Sequence, residues 1–540
     1  MFSKLTFWLC LATTACSTAA THIDQGVSFQ LSEGTLAARS HFIQGLVALH
    51  SFWYDEATRE FDAAIAADPT MNMAYWGAAF SRCKLLWGAD DLSAARHLLA
   101  RMPDPEHLSE REQAWVLALV ALLKAGDVRS SRERYATAME DLDQRFHDDE
   151  SEMFLALALL SKIRLGAPNE ISLRLRAGLL ALDVLGRHPN HPGATHYLIH
   201  AYDAPQLAPM ALPFAYAYAR IAPAAFHARH MPAHIFARLG LWEPAIASCR
   251  SAWDVSVESA RREHLSVDHR DFHSLNWLIE MSFEIGRRKD ADASMKLFVD
   301  AIRDGAGASV RAQYATQVAS YLVRTSEWTR VDELLAPLAS VAPHGDDTSA
   351  HCGTAPAPVP NPVLEQMAVL DTRSRAAAMT KDVDKARHLL DELDDARAKL
   401  RSVVQTMQPP EVVAKLDAAA ARYRRALLAR ASGDDVVLLA VLRESVDDDI
   451  ELGGEINPNG YLVREEIART LVRLGKADAA VAEYMIVIAE HPGRARALLG
   501  AARATINPKA ARDLYAQLLQ VWSNAEADTD GLAEAKAATK

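Results

Sequence analysis

The sequence predicts an all-α solenoid of antiparallel helix pairs, with a long N-terminal array followed by a shorter C-terminal one. Three observations carry this. The chain has 540 residues, more than one compact core accommodates. Glycine is sparse, at 24 residues, while alanine, leucine and arginine recur throughout, a composition that favours helices. A pattern of small, aromatic and proline residues also returns at a period of about 34 residues, the length of a two-helix repeat.

The pattern is clearest in HFIQGLVALHSFWYDEATREFDAAIAADP (41–69), where Gly45, Ala57, Phe61, Ala64 and Pro69 take the small, small, aromatic, small and proline positions. Small residues let two helices approach closely, and the proline closes the second one. The frame returns near the C-terminus in Ala468, Gly475, Ala480, Tyr484 and Pro492. A middle copy is marked by Phe236, Gly240, Ala245 and Ala252, and a weaker one by Ala211 with Pro223. Between them lie degenerate helical pairs, one opened by the capping box Ser109-x-x-Glu112. These residues resemble the tetratricopeptide repeat family.

Residues 1–20 read as a secretory signal peptide: Lys4 is the basic start, Leu5 to Ala15 an apolar stretch too short for a membrane span, and small residues follow. Cleavage after Ala19 or Ala20 would release a soluble protein; lipidation of Cys16 would give a membrane-anchored one. The expected location is therefore periplasmic or extracellular, with no transmembrane span. Residues 30–340 form the N-terminal array, 341–363 a linker rich in proline, glycine and small polar residues, 364–522 the C-terminal array and 523–540 a tail. Cys83, Cys249 and Cys352 are too few and too scattered for a disulfide framework. The formal net charge of −12 argues against a nucleic-acid partner. Phosphate-binding GxxxxGK(S/T), GxSxG and HExxH signatures are absent from the sequence.

One feature points beyond the fold. In HPGATHYLIHAYDAPQLAPMALPFAYAYARIAPAAFHARHMPAH (191–234), His196 and His200 are four apart, as are His230 and His234, and the two pairs are offset by one repeat. Counting within the repeat places each pair on a first helix, where equivalent positions stack side by side and bring four imidazoles toward one patch. Imidazoles four apart on a helix are close enough to share a metal ion, so these four are the candidate metal ligands. A His-rich site with carboxylates suits zinc, iron, copper or nickel. Asp203, one turn beyond His200, and Glu280 on the next repeat's first helix are candidate ligands, orienting partners or general bases. His50 joins the same side from the first repeat, and His273, Asn276 and Glu280 share one helix face. Pro232 interrupts the second pair. If it opens a helix, His230 falls just outside and the four-residue spacing no longer brings it beside His234.

The motifs HSFWYDEA (50–57), AYWGAAFS (74–81), HPGATHYLIHAYD (191–203), HMPAHIFARLG (230–240) and HSLNWL (273–278) are similar to those of a family of exported bacterial tetratricopeptide proteins. More distantly, they are similar to the animal tetratricopeptide repeat protein 38 group. The resemblance covers most of the chain and implies a repeat fold, with the histidine stripe lining a concave groove. It implies no established activity, and relatives often carry a second histidine where Asn276 stands. The expected function is an exported solenoid that binds a peptide, protein or small-molecule ligand in a histidine-lined groove able to hold a transition metal. The alternatives are a metal-dependent hydrolytic or oxidative enzyme, a pure protein–protein scaffold, and a binder whose clustered imidazoles respond to pH.

Overall fold

The structure, a computed structural model, describes residues 26–87, 90–167, 169–340, 361–407, 410–446 and 463–540. Among these residues it is an all-α solenoid in which successive helices pack as antiparallel pairs. The predicted signal segment with Cys16, most of the linker, and Cys352 lie outside the described residues.

The repeat pattern becomes a packing device. Helix Leu36–His50 pairs with Tyr54–Ala67, and the Phe61 ring fills the space left by two glycines: a Cβ on Gly45 would lie 2.7 Å from it, and one on Gly77 2.3 Å. The C-terminal copy uses the same lock, with the Tyr484 ring 2.4 Å from where a Gly500 Cβ would stand. Local signals set the helix ends. Ser109 and Glu112 form the reciprocal capping box expected from the sequence, at the start of Glu110–Leu123. Pro192 opens Pro192–Tyr202 at its first turn, where a missing amide hydrogen costs nothing.

The second array continues directly from the first. Helix Asn361–Met379 packs on Ala308–Thr325, with Arg311 forking onto Glu365 at 2.7 and 2.8 Å and the Thr372 hydroxyl donating to the Ala315 carbonyl. The superhelix then curves until its end meets its middle. Trp242 Nε1 donates to the Gly493 carbonyl, Trp522 Nε1 to the Glu284 carbonyl, and the Ala495 amide to the Glu284 carboxylate. Gly240, at φ +68°, lies so close to Pro492 that a Cβ would be 2.3 Å from its carbonyl oxygen. Only glycine meets both demands. The predicted tail is also packed: Leu532–Ala538 is a helix with Leu532 and Ala535 buried, and its Glu534 holds Arg503. No described helix is long and apolar enough to cross a membrane.

Candidate metal centre

The histidines sit where four neighbouring helices meet. Helix Pro192–Tyr202 carries His196 and His200 on one face, and Phe226–His230 carries His227 and His230. Pro232–Arg238 carries His234, and Phe272–Glu284 carries His273. Pro232 does open its own helix, but Met231 keeps right-handed helical dihedrals (φ −53°, ψ −36°). The chain turns on through the junction, so His230 and His234 still meet, their Nε2 atoms 3.0 Å apart.

The four sequence-predicted ligands come together in one region but do not share one ion site. They divide between two triads, His196–His200–His227 and His230–His234–His273, each with its ligand atoms within 4.8 Å of one another. In the first triad, His196 Nε2 is 3.0 Å from His227 Nε2 and 3.1 Å from His200 Nε2. A tetrahedral ion at the usual metal–nitrogen distance of about 2.0–2.1 Å has nitrogen–nitrogen edges of roughly 3.3–3.4 Å, so the rings would part by a few tenths of an ångström to admit one.

Hydrogen bonds on the far side of the rings fix which nitrogen faces inward. His196 donates Nδ1–H to the His50 carbonyl at 2.6 Å, leaving Nε2 with a lone pair. His234 Nδ1 lies 3.1 Å from Asp203, a carboxylate also held by Arg238 at 2.6 Å. A carboxylate only accepts, so Nδ1 carries the hydrogen and Nε2 turns inward. Ser274 donates its hydroxyl hydrogen to Asp271 and accepts from His230 Nδ1 at 2.9 Å, so His230 also turns its Nε2 inward. This is the outer hydrogen bonding that orients metal-binding imidazoles.

Aromatic walls surround both triads. The Phe52 ring lies 4.4 Å from that of His196, 5.7 Å from His200 and 5.5 Å from His227. Phe52 reaches this place from a left-handed backbone conformation (φ 54°), a costly one for a residue with a Cβ. Trp277 packs on His230, His234 and His273, and Trp87 on His227. The histidines expected to line a concave groove are mostly enclosed: His196, His227, His230 and His234 are buried, and of the six only His200 and His273 are partly exposed. Burial holds the His196 ring down to about 3; the His50 carbonyl opposes this, and the His50 and His234 rings reinforce it. Burial, then neighbouring imidazoles, holds His200, His227 and His230 well below the ordinary histidine value. Neutral rings are the form that binds metal.

Other predicted site residues have different work. His50 is not a ligand in either triad: its Nε2 bonds Glu150 at 2.7 Å and its Nδ1 meets the Tyr197 hydroxyl at 3.0 Å, while its carbonyl orients His196. His191 shares Glu150 and caps the next helix by accepting from the Ala194 amide, so the buried His50–Glu150–His191 group is satisfied internally. Asp203 orients His234 without facing the triad. Asn276 donates to Gln313. Glu280 is remote from the imidazoles, locked by Arg324 at 3.0 Å and by Gln317 and Ser320. It cannot serve as ligand or base. Sequence reasoning missed His227, Glu150, His191, Phe52, Asp271 and Ser274; for His227 the signal was its spacing of three and seven from His230 and His234.

No family model and no curated protein matches the chain. Among solved structures, yeast Tom70 aligns over 93% of this chain and 92% of its own at 9% identity, with a TM-score of 0.32. The P58(IPK) TPR domain covers 72% of this chain and 98% of that one at 13% identity, with a TM-score of 0.21. Naa15/Naa10 bound to HypK-THB covers 93% and 85% at 13% identity, with a TM-score of 0.26. At such similarity the solenoid assignment rests on this chain's own helix pairs.

Proposed function

We propose that this solenoid is a transition-metal-binding protein that acts through the imidazole triads between its central helices. The observation that supports this most is the facing of His230 and His234. Both rings have Nδ1 engaged outward, so their Nε2 atoms face each other across 3.0 Å. Two nitrogens hold that distance with a cation between them, a proton or a metal ion, and the three imidazoles of each triad are a donor set for a metal ion. A groove that only holds peptides needs no such arrangement.

A second reading, in which the bound ion is catalytic, draws on the partial exposure of His200 and His273, which gives an outside ligand an approach to each triad. An exported location, supported by the pattern of residues 1–20, would be checked by the mature N-terminus: a start after Ala19 or Ala20, or a lipidated Cys16.

The test is elemental analysis of untagged protein purified without chelator. Transition metal at one equivalent per chain or more is expected, lost when His230→Ala is combined with His234→Ala. Metal-free protein whose melting temperature ignores added zinc, copper, nickel and iron would sink the reading.

A further inference from the structure

The triad His196–His200–His227 is built from imidazoles alone. Among the described residues no carboxylate or thiolate joins its ligand atoms. Three neutral rings bring no negative charge, so a metal ion among them keeps its own. A proton in the ion's place would leave the triad positive as well. The walls carry no formal charge: the Phe52 and Tyr218 rings pack on His196 at 4.4 and 5.2 Å, and Trp87 on His227 at 5.5 Å. Positive charge in such surroundings calls for a counter-ion.

The charged groups nearby do not supply one. Asp203 is held by Arg238 at 2.6 Å and meets His234 at 3.1 Å. Glu150 is shared by His50 and His191, and Asp271 is engaged by Ser274 beside the other triad. Arg174 and Glu170 form a pair of their own at 2.7 Å. Arg174 stands at the end of the helix that carries His200, where its Nη1 donates to the His200 carbonyl at 2.8 Å. Its Nε is taken by Glu170, and its Nη2 makes no hydrogen bond among the described residues. One guanidinium nitrogen is thus left for an incoming acceptor.

The way in also lies at His200. Of the three rings only this one is partly exposed, and three imidazoles leave a tetrahedral ion one position short. A water entering past His200 fills the position and leaves the charge. An oxyanion fills it, offsets the charge and offers Arg174 a charge-assisted hydrogen bond. Resting on the metal-binding reading above, we infer that the ion of this triad takes its fourth ligand from an oxyanion, a carboxylate or phosphate group, with Arg174 beside it at the opening.

The full chain, stripped of metal and reloaded with cobalt(II), is titrated with acetate, with inorganic phosphate and with acetamide, the neutral counterpart of acetate. The visible cobalt bands report the coordination shell. Acetate or phosphate should shift them saturably, and the tighter of the two names the group the site is built for; acetamide at equal concentration should leave them unmoved. The response should vanish in His200→Ala with His227→Ala, which keeps the other triad. Arg174→Met should keep its cobalt and bind the oxyanion about tenfold more weakly, and Arg174→Lys should recover part of that loss. Circular dichroism verifies that the variants fold; if any fails, the wild-type contrast of acetate with acetamide decides alone. Bands unmoved by both oxyanions, bands moved equally by acetamide, or undiminished binding in Arg174→Met would overturn the oxyanion site and leave metal binding standing. Protein that takes up neither cobalt nor zinc would overturn both.

Discussion

Helix Phe272–Glu284 carries two buried polar clusters of opposite kinds, one near each end. Near its C-terminal end, Glu280 and Glu284 meet Arg324 at 3.0 and 2.6 Å, with Arg494 and the Ala495 amide completing the shell of Glu284. Each acceptor there has a donor. Near its N-terminal end, His273 joins a group in which ring nitrogen faces ring nitrogen. A cluster that satisfies itself explains its own burial, as an element of the fold. A cluster whose inner atoms are all ring nitrogens is one that a metal ion from outside can join.

Four experiments press on this contrast, from the largest effect to the smallest. Arg324→Met removes the cation shared by two buried carboxylates, and breaking such a pair costs about 3–5 kcal/mol; urea denaturation should show that loss, with metal content per folded chain unchanged. Stripping metal from the native protein should destabilise it by about 2.7 kcal/mol relative to protein with free metal at 100 times the dissociation constant, read as a fall in melting temperature. A self-sufficient histidine cluster would show no shift. Asp203→Asn weakens the bond that orients His234 and should cost about 10–100-fold in metal affinity by competitive titration. An unchanged affinity would detach Asp203 from the centre.

The smallest effect lies at the seam between the arrays. Burial, then Arg494 and Arg238, lowers His491 to about 4 from the ordinary 6.5. The unfolded chain binds a proton below 6.5 that the folded chain refuses until about 4. The stability His491 contributes is therefore complete above pH 6.5 and lost as pH falls toward 4, on the order of 1 kcal/mol by pH 5.5. His491→Gln should flatten that part of the pH–stability curve.

Much of the fold is legible because its rules are local. Gly45 with Phe61, and Tyr484 in its repeated frame, announce helix pairs from sequence alone. The closure of the superhelix is not, since Trp242 with Gly493 and Trp522 with Glu284 pair residues far apart in the chain. At the site, the repeat period marks His196, His200, His230 and His234, but equivalence within a repeat is not contact. Across the adjacent helices the rings that meet are 31 residues apart, His196 with His227, and Asp203 pairs with His234 at the same interval. That is nearly one turn short of the repeat, which is why His227 escaped notice and four ligands became two triads. Glu280 misled for a related reason. It shares a helix face with His273, yet seven residues carry it about 10 Å along the axis into the other cluster.

Repeat arrays ordinarily come apart piecemeal, because each unit touches only its neighbours and the ends can fray alone. The seam at Gly240, Trp242 and Glu284 removes that freedom. The last helices cannot peel away without releasing the helix that presents His273, so opening of the C-terminus and opening of the histidine centre become one cooperative event. Amide hydrogens of helices Phe272–Glu284 and Ala495–Ala504 should then exchange with a common free energy, and the array behaves as a loop fastened to itself rather than as a row of independent units.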